Sequence, residues 1–271
     1  MIAAMSDVHP MKRRLPVRLV VFAANLLFDR ILLRPSEWLV RRASSVGREP
    51  FFDPAEFGWI APLEAACSTI RSELLALLRE RGRIPNFHEI SSYQLPITQD
   101  DRWKAFWLCA YGRKIERNCI RCPETTRLVE SIPGVKSAFF SILAPGKHIP
   151  EHRGPYAGVL RYHLGLVIPQ RKEGCRIRVG PELMHWEEGR SLVFDDTYPH
   201  EVWNDTDAER IVLFVDFARP LAFPASLLNE AMIRLIARSG LVQEIVEKAA
   251  RRSHPAGPGA VGDSKVAARG S

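Results

Sequence analysis

The spacing of apolar residues changes twice along the chain. Between residues 61 and 81, Leu63, Ile70, Leu74 and Leu77 recur at helical intervals, which predicts a helix that ends at Gly82. A second helix is predicted to begin at residue 123 and to end at residue 130. Residues 135–219 change to short β-rich runs separated by Gly, Pro and Asp, and residues 226–251 return to helical spacing.

The β-rich part contains six runs that read as strands. They cover residues 137–143, 159–168, 175–179, 191–194, 201–203 and 211–217, and residues 103–111 read as a further strand or short buried segment. Many short strands with turn residues between them are typical of a double-sheet barrel. We therefore predict a β-rich α+β fold, in which a double-stranded β-helix of jelly-roll or cupin type is flanked by helices.

Charge divides the chain into three parts. The net charge is +7, yet residues 11–48 alone hold nine Lys/Arg against two Asp/Glu, and residues 49–247 hold more acidic than basic residues. We predict a basic amphipathic extension over 1–48, one domain over 49–250 with its β core at about 135–219, and a disordered Gly/Pro/Ala-rich tail over 251–271. This distribution argues against a nucleic-acid groove and favours chain ends that meet an anionic surface.

The N-terminal segment indicates membrane association without spanning. Its uncharged run, residues 19–28, is ten residues long, whereas a spanning helix needs about 20 apolar residues. Residues 15–42 read as a basic amphipathic helix, which either lies at an anionic membrane surface or packs on the domain. The five cysteines are too few for a secreted disulfide framework. We expect a cytoplasmic protein, peripheral on the inner leaflet of the cytoplasmic membrane.

Two histidines and an arginine carry the candidate chemistry. His152 is predicted in a turn before a strand, His200 between two strands, and Arg210 at the start of an apolar strand. Neutral imidazoles suit Fe(II), whose open positions accept O2 and a bidentate 2-oxo acid. An inward arginine would pair with the far carboxylate of that acid. The spacing alone also fits histidines that satisfy core or loop hydrogen bonds.

A wider pattern resembles a known family. Residues 141–216 are similar to the aspartyl/asparaginyl β-hydroxylase family, which includes the bacterial lipid A 2-hydroxylases. The matching blocks are SILAPG at 141–146, HRGP at 152–155, LRYHLGL at 160–166, WEEG at 186–189, FDD at 194–196, HEVW at 200–203 and RIVLF at 210–214. A weaker likeness reaches back through residues 122–125 and 103–104 to residues 51–52.

The resemblance implies a role for each site residue. It makes His152 and His200 the Fe(II) ligands, with Gly154 standing where other iron oxygenases have an acidic ligand. Water would then complete the coordination, and Asp196 would accept its hydrogen bond as a third catalytic residue. The co-substrate 2-oxoglutarate would be held at its distal carboxylate by Ser141 and Arg210, and beside its keto group by Arg161 and His163.

The expected reaction is hydroxylation of an unactivated C–H bond, using Fe(II), 2-oxoglutarate and O2. The favoured substrate is the 2-position of a fatty acyl chain in a bacterial membrane lipid, either lipid A or an aminolipid. The first alternative is β-hydroxylation of Asp or Asn in a peptide or protein. The second is a cupin-like protein that binds a metal or ligand without catalysis.

Overall fold

The computed structural model describes residues 34–80 and 84–252. Most of the predicted N-terminal helix, the helix end at Gly82 and the tail beyond residue 252 lie outside the described residues. Within the described ranges, every helix is too short or too polar to cross a lipid bilayer.

Eleven described strands form two sheets. They are β1 (Phe51–Phe52), β2 (Trp103–Ala110), β3 (Arg113–Lys114), β4 (Val135–Leu143), β5 (Lys147–His152), β6 (Val159–Val167), β7 (Cys175–Val179), β8 (Glu182–His185), β9 (Ser191–Phe194), β10 (His200–Asn204) and β11 (Arg210–Ala218). The seven-stranded sheet has the order β1-β9-β6-β11-β4-β2-β3, and the four-stranded sheet has the order β5-β10-β7-β8. All pairings between these strands are antiparallel. The predicted β-rich α+β fold with a jelly-roll core is confirmed.

Helices cover the outside of the barrel. In the described part they are α1 (Arg34–Arg42), α2 (Ile60–Ala65), α3 (Cys67–Leu78), α4 (Phe87–Ile90), α5 (Glu116–Arg121), α6 (Pro123–Glu130), α7 (Ala225–Ala237) and α8 (Gly240–Arg252). Leu74 of α3 packs with Leu160 and Leu213 against the outer face of the large sheet. The large sheet is therefore buried on both faces, which explains its almost continuous apolar strands.

Strand alternation decides which side chains enter the barrel. In β11, Ile211, Leu213 and Val215 join the outer core beneath the helices. The intervening Val212 and Phe214 join the core between the two sheets. Because side chains alternate between faces, Arg210 and Asp216 point to the same side as Phe214. The polar residues of the candidate site thus belong to the inner face.

The structure corrects four details. His152 ends strand β5 and does not lie in a turn, and His200 is the first residue of β10. The helix predicted over residues 61–81 is two helices, α2 and α3, separated at Ala66. The helix predicted over 226–251 is also two, α7 and α8, with a break before Gly240. Apolar spacing continues through both breaks, so periodicity alone did not reveal them.

The described end of the predicted extension contacts the domain. Val40 of α1 packs with Tyr156, Val159 and Ile233 in a third apolar cluster. Ser44 forms an antiparallel bridge to Leu221 just beyond β11. Residues 34–45 are therefore part of the folded body, while the predicted role of the extension at a membrane stays a prediction.

Candidate active site

The central feature is a pair of histidines on neighbouring strands. His152 of β5 and His200 of β10 are register partners, and their ring centroids are 4.0 Å apart. The Nδ1 of His152 donates to the Pro150 carbonyl at 2.8 Å, and the Nδ1 of His200 donates to the Tyr198 carbonyl at 3.0 Å. A carbonyl can only accept, so the hydrogen of each neutral ring is on Nδ1. Each Nε2 keeps its lone pair, as a metal ligand requires.

Burial keeps both rings neutral. It lowers the pKa of His152 from 6.5 to about 4, although the bond to the Pro150 carbonyl acts in the opposite direction. It also lowers the pKa of His200 well below the ordinary value, assisted by the nearby His152 and Arg161. Two converging neutral imidazoles suit a divalent transition metal.

The space beside Gly154 is filled by a carboxylate from another loop. A Cβ placed on Gly154 would overlap the carboxylate of Asp196. The Gly154 amide also donates to the Asp196 carbonyl at 2.7 Å. A side chain at position 154 is therefore incompatible with the present position of Asp196. Other iron oxygenases have an acidic metal ligand at the position of Gly154. Here the Asp196 carboxylate occupies the space that such a side chain would need.

One oxygen of Asp196 is paired and the other is not. Arg161 Nη2 lies 2.8 Å from Asp196 Oδ2, and Arg161 Nε donates to Asp216 Oδ1 at 3.0 Å. Among the described residues, Asp196 Oδ1 is buried without a hydrogen-bond partner. Burial raises the pKa of Asp196, Arg161 opposes the rise, and Asp216 adds to it. The free Oδ1 is a suitable acceptor for a water on the metal.

Deeper in the barrel, His163 presents a donor without a partner. Trp186 Nε1 donates to His163 Nδ1 at 3.3 Å. Because an indole nitrogen only donates, the hydrogen of His163 is on Nε2. That Nε2 is buried and lacks a partner within the described part of the chain. Burial lowers the pKa of His163 well below its usual value, assisted by Arg210 and Arg161, so the ring is a neutral donor.

Arg210 is a buried cation without a counter-ion in the described structure. The residue is 2% exposed, and its guanidinium lies 4.8 Å from the Trp186 ring centroid. Its Nε and Nη1 have no hydrogen-bond partner among the residues of 34–80 and 84–252. Desolvation lowers its pKa to about 10. An unpaired buried cation is costly, and an anionic ligand would remove that cost.

Ser141 lies diagonally across from Arg210. Arg210 is opposite Leu143 and Val212 is opposite Ser141, so Ser141 and Arg210 share the inner face two residues out of register. Trp103 Nε1 donates to Ser141 Oγ at 3.0 Å, which leaves the Ser141 hydroxyl hydrogen able to donate elsewhere. His163 shares this inner face, and its free donor together with those of Ser141 and Arg210 can bind a carboxylate.

Sequence reasoning missed three residues that support the site. Trp186 orients His163 and covers Arg210, Asp216 shares Arg161 with Asp196, and Tyr111 lies near that acidic pair. Tyr111 has a φ of 47°, which is unusual for an aromatic residue. Trp186 lay inside a matching block and Asp216 at the end of an alternating strand. Nothing in the sequence marked Tyr111.

The residues present fit an iron site with few protein ligands. The described part of the chain contains no group of three or more His, Cys, Asp or Glu side chains that could hold a metal. A pair of neutral imidazoles with one unpartnered carboxylate oxygen nearby is the donor set expected when water completes the coordination. The unpaired donors of Arg210 and His163 fit the carboxylates of a 2-oxo acid.

Comparison with known proteins identifies the family. Residues 64–220 match the family model described as aspartyl/asparaginyl beta-hydroxylase. The chain is 44% identical over 209 residues to an ornithine lipid ester-linked acyl 2-hydroxylase of Rhizobium tropici, covering 77% of this chain and 74% of that protein. It is 36% identical over 185 residues to the Homo sapiens aspartyl/asparaginyl beta-hydroxylase, covering 65% of this chain and 23% of that protein.

Among solved structures, a Pseudomonas putida prolyl-4-hydroxylase aligns at 19% identity and a TM-score of 0.37, covering 56% of this chain and 87% of that one. The family match spans more than half of this chain, and the bacterial relative is similar over most of its own length. The chain is thus a hydroxylase that belongs to the aspartyl/asparaginyl beta-hydroxylase family.

Proposed function

We propose that this protein uses Fe(II), 2-oxoglutarate and O2 to hydroxylate the 2-position of a fatty acyl chain in a membrane aminolipid of the ornithine-lipid type. The observation that carries the proposal is the buried Arg210, whose donors face the barrel interior without a counter-ion in the described structure. A dicarboxylate co-substrate supplies the missing charge, and the nearby imidazole pair supplies the place for iron.

In the proposed site, His152 and His200 hold Fe(II) through Nε2. The metal would supply activation of O2 together with oxidative decarboxylation of the 2-oxo acid. Asp196 Oδ1 would accept a hydrogen bond from a water beside the histidines, while Arg161 pairs with the other oxygen. Because Gly154 has no side chain, the Asp196 carboxylate can occupy this position.

The co-substrate is held at both ends. Arg210 and Ser141 bind the distal carboxylate, and His163 Nε2 with Arg161 binds the carboxylate beside the keto group. Trp186 keeps the His163 hydrogen on Nε2 by donating to Nδ1. Phe139 and Phe214 stack at 4.1 Å inside the barrel and keep the pocket apolar around these donors. Low dielectric strengthens each charge-assisted bond.

The choice of a lipid substrate rests on the relative from Rhizobium tropici. It is similar to this chain over about three quarters of its own length. The similarity to the human aspartyl/asparaginyl beta-hydroxylase covers about a quarter of that longer protein. β-Hydroxylation of Asp or Asn in a protein remains the second candidate, because the chain is 36% identical to the human enzyme over 185 residues.

Mass spectrometry of membrane lipids tests the proposal. Expression in a bacterium that makes ornithine lipids should add one oxygen atom to the lipid, and fragmentation should place it at carbon 2 of an acyl chain. His200→Ala is the matched inactive control. Unchanged lipids beside a hydroxylated Asp or Asn would favour the second candidate. No succinate with any substrate would favour a cupin-like binding protein.

We also propose that the basic N-terminal segment holds the enzyme at the cytoplasmic face of the inner membrane. Lys12, Arg13, Arg14 and Arg18 precede the uncharged run at residues 19–28, and such basic segments are attracted to anionic lipid. Replacing all four by Gln should weaken binding to phosphatidylglycerol vesicles. Equal binding of the variant would contradict this role of the segment.

A further inference from the structure

Large apolar side chains are exposed on α1 and at the start of α7. Trp38 is 67% exposed, Leu39 is 50%, Phe223 is 79%, and Leu227 and Leu228 are each 63%. A contiguous exposed apolar patch on a folded protein usually marks an interaction surface. We call these five residues the α1/α7 apolar face.

Backbone contacts bring the two parts of this face together. The Ala222 amide donates to the Ala43 carbonyl at 3.0 Å, and the Ala43 amide donates to the Leu39 carbonyl at 3.0 Å. Leu39 is therefore one helical turn before Ala43, and Ala43 bonds to Ala222, the residue next to Phe223. Beneath the surface, Val40 of α1 and Ile233 of α7 belong to the same buried cluster, together with Tyr156 and Val159. The exposed side chains thus lie on two segments that are joined by backbone hydrogen bonds and share a buried cluster.

The charge around the face is basic. The Arg42 guanidinium lies 5.8 Å from the Trp38 ring centroid, and Arg234 of α7 and Arg238 just after it are exposed. The acids of these two helices are engaged: Glu37 pairs with Arg153, and Glu230 pairs with Lys136 and Arg234. Exposed aromatic and leucine side chains on segments that also carry arginines are typical of a surface that enters an anionic lipid interface.

Both helices are attached to the loops that adjoin the two histidines. Glu37 of α1 binds Arg153, the residue after His152, at 2.9 Å. Arg41 Nη2 donates to Thr197 Oγ1 at 2.7 Å, in the segment that leads to His200. On the other side, Asn229 of α7 accepts from Tyr156 Oη at 2.8 Å. The face therefore lies beside the end of the barrel that holds the histidines.

We infer that the α1/α7 apolar face docks on an anionic lipid bilayer and brings the metal end of the barrel to the membrane surface. The inference rests on the proposed function for its choice of a lipid partner, and basic charge complements that partner.

Vesicle flotation with the full chain tests the inference. The double variant Leu227→Ser/Leu228→Ser and the single variant Trp38→Ser remove apolar area from different helices. Ile120→Ser/Leu183→Ser is the matched control, because Ile120 is 77% and Leu183 is 48% exposed elsewhere on the molecule. We expect the α7 double variant to bind vesicles containing phosphatidylglycerol at least about tenfold more weakly, with Trp38→Ser also weaker and the control unchanged.

Three results would overturn the inference: wild-type protein that does not bind these vesicles, face variants that bind like the control, or a face variant that instead breaks a wild-type dimer in sedimentation. Succinate release on detergent-dispersed lipid separates the two proposals. Face variants should retain wild-type turnover there. Vesicle binding without succinate from any lipid would contradict the proposed reaction and leave the docking surface intact.

Discussion

Strand β11 has a buried arginine at each end, and the two differ in their partners. Arg219, just beyond the strand, donates to the Ala157 carbonyl at 2.7 Å, contacts Ser44 and Gly47, and pairs with Asp195. Arg210, at the start of the strand, has Nε and Nη1 without partners in the described part of the chain. Both residues are 2% exposed. Burial alone therefore does not distinguish a structural arginine from a ligand-binding one.

This difference between the two arginines shows which buried positive charge remains for a ligand to neutralise. Arg219 contacts the segment after α1, the loop after His152 and the segment before His200, so its charge is satisfied by the protein. A buried cation without a counter-ion is unfavourable in the absence of ligand. We interpret Arg210 as a residue that binds an anionic ligand and Arg219 as a residue that stabilises the fold.

The largest expected effect comes from removing either histidine of the proposed iron site. Without iron, the anion bound by Arg210 cannot take part in the reaction. His200→Ala and His152→Ala should each abolish iron binding and succinate formation, because in the described part of the chain two imidazoles converge there and each is needed. His148→Ala is the matched control, since His148 pairs with Glu201 and stacks on Trp203. Metal content after desalting and succinate release are the measurements. Full iron occupancy in either alanine variant would refute the assignment.

Replacing Arg219 or Arg210 by methionine tests whether the two arginines differ in their contribution to stability. Arg219→Met leaves Asp195 with hydrogen bonds from Thr197 and a 3.4 Å ion pair with Arg41, and should lower the free energy of unfolding by about 3–5 kcal/mol. Arg210→Met removes an unpaired buried charge and should leave the stability of the ligand-free protein unchanged or higher. Chemical denaturation of both variants gives the two values. Equal destabilisation would mean that Arg210 is also structural.

Asp196→Asn should reduce iron affinity and activity less than the loss of a histidine does. The amide preserves the shape next to Gly154 but loses the charge that pairs with Arg161. Changes in groups that orient metal ligands typically cost about 10- to 100-fold in metal affinity or activity, and we expect that range here. Iron titration and steady-state turnover would show it. A variant with wild-type values for both would exclude Asp196 from the site.

A change of pH alone should alter the stability of the metal-free protein. Burial lowers the pKa of His152 from 6.5 to about 4, and that of His163 moves in the same direction. The unfolded state therefore binds protons first as the pH falls, so stability is complete above pH 6.5 and is lost towards pH 4.

Each neutral histidine should contribute a loss of about 1.4 kcal/mol per pH unit in that window. His163→Gln cannot become charged, so thermal unfolding of this variant between neutral and acidic pH should show a shallower slope than wild type. Parallel pH profiles for the two proteins would contradict a neutral, buried His163.

Strand alternation allowed much of the barrel to be predicted. The bounds of β7 and β9 agree with the sequence to the residue, and Arg210 opens β11 as expected. Strand β5 was missed because Pro150 and several charged residues interrupt its pattern. It lies at the edge of the four-stranded sheet, where a proline can be accommodated.

The site could be predicted only in part. Residue order and family resemblance indicated the histidine pair and Arg210, but no spacing reveals which arginine lacks a partner. The Asp196 carboxylate fills the space at Gly154 because two loops meet, and Glu37 reaches Arg153 across 116 positions of the chain. Such contacts depend on the assembled fold, which a linear pattern does not encode.

Calorimetric titration of 2-oxoglutarate into the anaerobic Fe(II)-loaded protein tests the central claim most directly. Wild-type protein should bind one equivalent, and Arg210→Met should bind about 100-fold more weakly, as expected for the loss of charge-assisted bonds in a buried pocket. Iron content should be the same in both, with Arg178→Met on the outer face as a control. Equal affinity for 2-oxoglutarate in wild-type and Arg210→Met protein would contradict the account.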